Sequence, residues 1–147
     1  MVHDFKRFPE LTNSQMQIYY FESPHKQIVD DFTAKVVKVT DGDTIRVGCD
    51  FRDFDFPIRL SNIAAPELKE GGANSQSWLE DEILGENVYV IVDKDNRVGK
   101  WGRLLGEIIS DGVNINQESI RAGHSVSWDA RKSSGFQDFF KTLEARE

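Results

Sequence analysis

The sequence predicts a single α+β domain, mainly β with helices: a small, partly open barrel of five strands with about three helices. Three observations point there. The 147-residue length fits one ordinary domain, and 39% hydrophobic and 29% charged residues is a globular composition. Five apolar, β-branched runs are separated by turn residues, which is a strand signature. A helical stretch interrupts them only after the third run, so the strands cannot alternate one for one with crossover helices as a parallel sheet requires.

Residues 1–31 read as an extension with a short helix. Leu11, Gln15, Ile18, Tyr19 and Glu22 give a partial helical stripe, with Thr12 or Asn13 as cap and Pro24 as stop. Its aromatics, Phe5, Phe8, Tyr19, Tyr20 and Phe21, are too many for an idle tail, so the segment is expected to dock on the barrel or on a second copy, giving a homodimer. The barrel domain occupies residues 32–147. Ala34, Val36, Val37 and Val39 lead into Asp41-Gly42 and then Thr44-Ile45-Arg46-Val47, two β-branched runs around a hairpin dipeptide. A third strand covers residues 56–63 and stops before Pro66. Residues 71–84 read as a helix with Ala73, Ser77 and Ile83 on its inner face and Gly85 as its stop. Strands resume at 88–92 and 104–109, a short helix covers 116–122, and Phe136, Phe139, Phe140 and Leu143 are spaced for a last core helix.

Charge and cysteine set bounds. Eighteen basic against 25 acidic residues leave −7, which argues against a protein that grips nucleic acid through bulk positive charge. The lone Cys49 cannot form an intramolecular disulfide, and His3, His25 and His124 are too scattered for a zinc site. There is no membrane-length apolar run and no secretory apolar region at the N-terminus, so an intracellular location is expected.

Two sets of side chains carry chemistry. Asp41 and Asp43 flank Gly42 in a tight turn and Glu67 follows the third strand, an all-oxygen set suited to Ca²⁺ or Mg²⁺. An Asp-Gly hairpin needs no function of its own, so the carboxylates alone leave a purely structural turn open. Arg59, between Ile58 and Leu60, is costly to bury unless it meets an anion, either Glu67 or a phosphate. Arg103 follows a turn glycine and precedes a strand, so it too can point from a strand edge into a cleft.

Four phrases occur in order: Val39-Thr40-Asp41-Gly42-Asp43-Thr44-Ile45, Arg59-Leu60-Ser61-Asn62-Ile63-Ala64-Ala65-Pro66-Glu67, Lys100-Trp101-Gly102-Arg103-Leu104-Leu105 and Asp111-Gly112-Val113-Asn114-Ile115-Asn116. In order and spacing they resemble the staphylococcal nuclease (thermonuclease) family over about residues 32–132. The resemblance implies a five-stranded oligonucleotide-binding (OB-fold) barrel and a Ca²⁺-dependent hydrolase of DNA and RNA that leaves phosphate on the 3′ side; single-stranded DNA or RNA is the expected partner, with strand preference left open. It makes Asp43 a metal carboxylate with Asp41 close behind it, and the Ala65 carbonyl a further ligand. Arg59 and Arg103 become the phosphate clamps, and Glu67 the residue that positions or deprotonates the attacking water. Lys100, Trp101 and Trp128 fall where the family contacts the nucleotide.

One position departs from the pattern. Ala64 stands where the family has a second metal carboxylate, and a methyl group cannot ligate calcium. The resemblance therefore implies a nuclease that is inactive or weakly active in this chain, with a noncatalytic nucleic-acid-binding module as the alternative. Retention of Asp43, Arg59, Glu67 and Arg103 favours the nuclease, because degenerate domains lose several site residues together.

Overall fold

The computed structural model describes residues 3–66, 72–99 and 102–128. Helix α1 (Asn13–Tyr19) starts at Thr12, whose hydroxyl accepts from the Gln15 amide while the Gln15 side chain accepts from the Thr12 amide. Of the two candidate caps, Thr12 is used, in a reciprocal capping box. A single 3₁₀ turn (Tyr20–Glu22) ends the helix before Pro24. The barrel strands are β1 (Phe32–Asp41), β2 (Thr44–Cys49) and β3 (Arg52–Leu60), then β5 (Asn87–Val92) and β6 (Leu104–Ser110) after helix α2 (Gly72–Ile83). Two-residue strands β4 (Ile63–Ala64), β7 (Val113–Asn114) and β8 (Val126–Ser127) and helix α3 (Ile115–Arg121) complete the described elements.

The sheet runs β3-β2-β1-β5-β6-β7, antiparallel at each step, and a parallel β3–β6 pairing closes it into a barrel. Closure removes the exposed edges that an open sheet presents. The inward residues of these strands, among them Val36, Ile45, Val47, Ile58, Leu60, Val90, Leu104 and Ile108, form one core capped by Leu79 and Ile83 of α2. Cys49 packs against that core at the end of β2.

Some expectations shift. The hairpin turn residues are Gly42 and Asp43, not Asp41 and Gly42, because Asp41 still pairs with Thr44 in the ladder. Strand β3 begins at Arg52, earlier than the apolar run, and ends at Leu60, with a turn at Ser61 and Asn62 before β4. The buried face of α2 is Gly72, Ser75, Leu79 and Ile83, while Ala73 and Ser77 are exposed. That face follows helical spacing, but two of its members are too small to register as apolar. It lets α2 approach the hairpin closely: a Cβ on Gly42 would lie 2.7 Å from the Cβ atoms of both Ala65 and Ser75. The helix expected around residues 136–143 lies outside the described residues.

The N-terminal segment packs on the barrel. Glu10 and Leu11 are buried, with Glu10 paired to Arg52 and, at 3.3 Å, to Arg97. Gln27 donates to the Pro9 carbonyl at 2.8 Å and accepts from the Leu11 amide at 2.6 Å. Among the described residues no helix is long and apolar enough to cross a membrane.

Candidate active site

The parallel β3–β6 register sets the site. It places Ile58 beside Leu104 and Arg59 beside Leu105, which brings Arg103, the residue just before β6, close to Arg59. Both line one open cleft of about 440 Å³, together with Asn62, Asp93, Asn96 and Trp128. Trp128 reaches it through β8: its amide donates to the Asn62 carbonyl at 3.0 Å, and the Arg59 guanidinium lies 6.0 Å from its ring centre. Asn62 takes a left-handed φ of 64°, which asparagine tolerates better than most residues.

The hairpin brings the carboxylates to the same rim. Asp41 Oδ1 accepts from the Asp43 amide at 3.0 Å, an Asx turn that shapes the loop. Asp43 Oδ1 accepts from the Thr44 hydroxyl at 3.1 Å, its Oδ2 accepts from the Ala65 amide at 3.0 Å, and Arg59 Nη2 lies 3.3 Å from that Oδ2. Arg103 Nη1 donates to Thr44 Oγ1 at 3.2 Å, so Thr44 links the second arginine to Asp43. Among the described residues the anion that Arg59 meets is Asp43; its other expected partner, Glu67, lies outside them. Its guanidinium also donates to the carbonyls of Leu60 (2.5 Å) and Ile63 (2.8 Å), which ties down the β3–β4 turn. Burial, and then the Asp43 carboxylate beside it, push the Asp41 carboxyl up to about 6.

Asp41, Asp43, Arg59, Ala64, Ala65, Arg103 and Trp128 therefore converge, whereas Glu67, Lys100 and Trp101 lie outside the described residues. Ala64 is buried in β4, opposite Val126, and offers only a methyl group. Among the described residues no three His, Cys, Asp or Glu side chains come together as a metal cluster. The two neighbouring carboxylates, linked through the Asp43 amide, nevertheless supply the oxygen donors that a hard cation takes. With two protein carboxylates, such an ion would keep much of its water.

Sequence reasoning missed Asn62, Asp93 and Asn96 as cleft residues. The Asn62 side of the cleft had a signal in the turn-forming Ser61-Asn62 dipeptide, but Asp93 and Asn96 reach the cleft through strand pairing that no local pattern encodes.

A closed barrel thus carries two guanidiniums at one cleft, with a pair of carboxylates bonded beside them. The family model for staphylococcal nuclease homologues matches residues 57–146, and the chain belongs to that family. It is 41% identical over 95 residues to a protein of Escherichia coli O157:H7 described as an uncharacterized endonuclease; the match covers 63% of this chain and 59% of that protein. A Haemophilus influenzae protein of the same description is 30% identical over 104 residues, covering 69% of this chain and 54% of its own length. A third relative, an uncharacterized protein of Bacillus anthracis, is 25% identical over 99 residues, 63% of this chain and 45% of its own. The chain thus spans about half to three fifths of the length of these relatives.

Proposed function

We propose that this domain is a metal-dependent phosphodiesterase acting on single-stranded DNA or RNA, with Ca²⁺ as its ion, weakened by Ala64. The observation that carries the reading is that Arg59 and Arg103 line one cleft while Asp43 pairs with Arg59 beside it, with Thr44 as the link between Arg103 and Asp43. Negative charge gathers on the nonbridging oxygens of a phosphodiester as it is attacked, and two forked guanidiniums held by the scaffold meet that charge without rearranging. For Arg59 to do so, a phosphate takes over the position that Asp43 shares with it. Arg59's bonds to Leu60 and Ile63 keep the guanidinium in place meanwhile.

Asp43, Asp41 and the Ala65 carbonyl would hold the ion, and when bound it supplies Lewis-acid polarisation of the phosphate and a more acidic water. Glu67 orders or deprotonates the attacking water, a role that rests on the family resemblance. Trp128, exposed at the cleft wall, offers a face on which a base stacks; roles for Lys100 and Trp101, which precede Arg103 in the sequence, rest on the family resemblance. A cleft of about 440 Å³ suits one splayed nucleotide better than a duplex, which supports the preference for single strands. A homodimer through residues 1–31 would use the exposed Ile18, Tyr20 and Phe21, because Glu10 and Leu11 are already buried on the same chain; the solution mass tests it.

Ala64 favours a second reading, a barrel that binds single strands without cutting them. Cleavage of a single-stranded oligonucleotide across a Ca²⁺ titration separates the two. Ala64→Asp is expected to cleave well above the parent chain. Binding that stays intact with no gain in cleavage would establish the binding module instead.

A further inference from the structure

The N-terminal segment touches the loop between β5 and β6 at several points, among them the Lys94 and Asp95 carbonyls, which accept from Asn13, and two contacts that flank the cleft residues Val98 and Gly99. At the first, Arg97 is buried in the segment. Its guanidinium pairs with Glu10, donates to the carbonyls of Leu11 (2.6 Å) and Ile28, and donates through Nε to Asn13 Oδ1 at 3.0 Å. At the second, the Phe8 ring lies against Gly102, with Cδ1 only 2.7 Å from where a Cβ would stand. Gly102 also has a φ of +70°, so the chain needs glycine there for its backbone as well as for the ring.

Between these anchors the loop is bonded to the strand that carries Arg103. The Leu105 amide donates to the Arg97 carbonyl at 2.7 Å, the Gly99 amide to the Arg103 carbonyl at 2.8 Å, and Val98 bridges Leu104. Val98, Gly99 and Arg103 all face the cleft. A side chain with four polar contacts to one segment, whose own carbonyl fixes the backbone two residues beyond Arg103, transmits position. The family match begins at residue 57, so nothing in it accounts for this contact.

We propose that Phe8 and Glu10 are positioning residues of the nuclease site. Through Gly102 and Arg97 they hold the loop between β5 and β6 so that Arg103 faces the phosphate that Arg59 meets. This inference rests on the proposed nuclease reading and adds a part of the chain that the family comparison leaves out. It also gives a reason for Glu10, a fully buried carboxylate, to sit between two buried arginines: two anchored cations bring residues 26–28 and the loop to one point.

The test is a binding cycle on the full chain, with a labelled single-stranded DNA oligonucleotide in Ca²⁺ and with thermal melting recorded for each variant. Phe8→Ala, which leaves the buried ion network intact, is expected to weaken binding about tenfold, and Phe8→Leu to restore most of it. In an Arg103→Ala background the same Phe8→Ala change is expected to alter binding less than about twofold, because the group it positions is gone. Exchange of the Gly99 and Leu105 amides is expected to quicken at least about tenfold in Phe8→Ala while the β1–β2 amides stay protected. Glu10→Gln is expected to show the same pattern together with a lower melting temperature. Equal losses with and without Arg103, or unchanged loop exchange, would mean that the segment only stabilises the fold and would overturn the proposal. A parent chain that neither binds nor cleaves single strands would sink the nuclease reading and this inference with it, whereas a parent that binds normally beside variants that bind equally well would sink the inference alone.

Discussion

Among the described residues, the Asp41 carboxyl is held well above its ordinary range. A carboxyl with a pKa near 3.9 in the unfolded chain and about 6 in the folded one binds its proton more tightly when folded. Its contribution to stability is therefore present at low pH and is lost as pH rises from about 4 through about 6. Thermal melts between those limits should show Asp41→Asn losing this downward slope, while added Ca²⁺ should offset it in the parent. Gly42 is tightly enclosed. Alanine there would drive a Cβ into Ala65 and Ser75, an overpacking that costs about 1–3 kcal/mol and lowers the melting temperature by several degrees. It should also disturb the Asp43 carboxylate, because Ala65 supplies one of its hydrogen bonds. That Asp41, Asp43, Arg59 and Arg103 lie close together was expected from the sequence because each stands in a phrase of fixed order. The Arg59–Asp43 pairing was not, since it depends on β2 and β3 lying in register, Thr44 beside Arg59.

Elements show the same division. The β1–β2 hairpin, β5, β6 and α3 announce themselves through β-branched runs and turn glycines, which are local signals. Barrel closure is a parallel pairing between β3 and β6, distant in sequence, and no local pattern encodes it. The inner face of α2 escaped for a different reason: Gly72 and Ser75 are chosen for size and carry no hydrophobic signal. Burial of Glu10, Arg52 and Arg97 escaped because charged residues read as surface until their partners are known. Docking of the N-terminal segment on the barrel was foreseeable from its aromatics, but the ion network that fixes it was not. Removing Glu10 leaves two buried guanidiniums without their carboxylate, and Arg52 Nη1 already has no hydrogen-bond partner. Glu10→Ala is therefore expected to cost about 3–5 kcal/mol, read as a fall of roughly 10 °C or more in the melting temperature.

At the scale of the whole molecule, a net charge of −7 limits how substrate is held. The positive groups shown at the cleft are two arginines, and acidic groups share its rim. Binding to single strands should thus depend only shallowly on salt, with a log–log slope of about −0.7 for one neutralised phosphate to about −1.4 for two. A much steeper slope would reveal a basic track that the described residues do not contain. In the proposed mechanism the cleft formed by the β3–β4 turn and the loop before β6 clamps a phosphodiester with Arg59 and Arg103 beside the Asp43 carboxylate. Arg103 is the cleaner probe, because Arg59 also holds the Leu60 and Ile63 carbonyls. The deciding measurement is kcat/KM for Ca²⁺-dependent cleavage of single-stranded DNA by Ala64→Asp, with and without Arg103→Ala. A fall of about 10²–10³-fold, most of it in kcat and with the melting temperature unchanged within a few degrees, is the predicted result. Cleavage that persists undiminished without Arg103 would contradict the clamp.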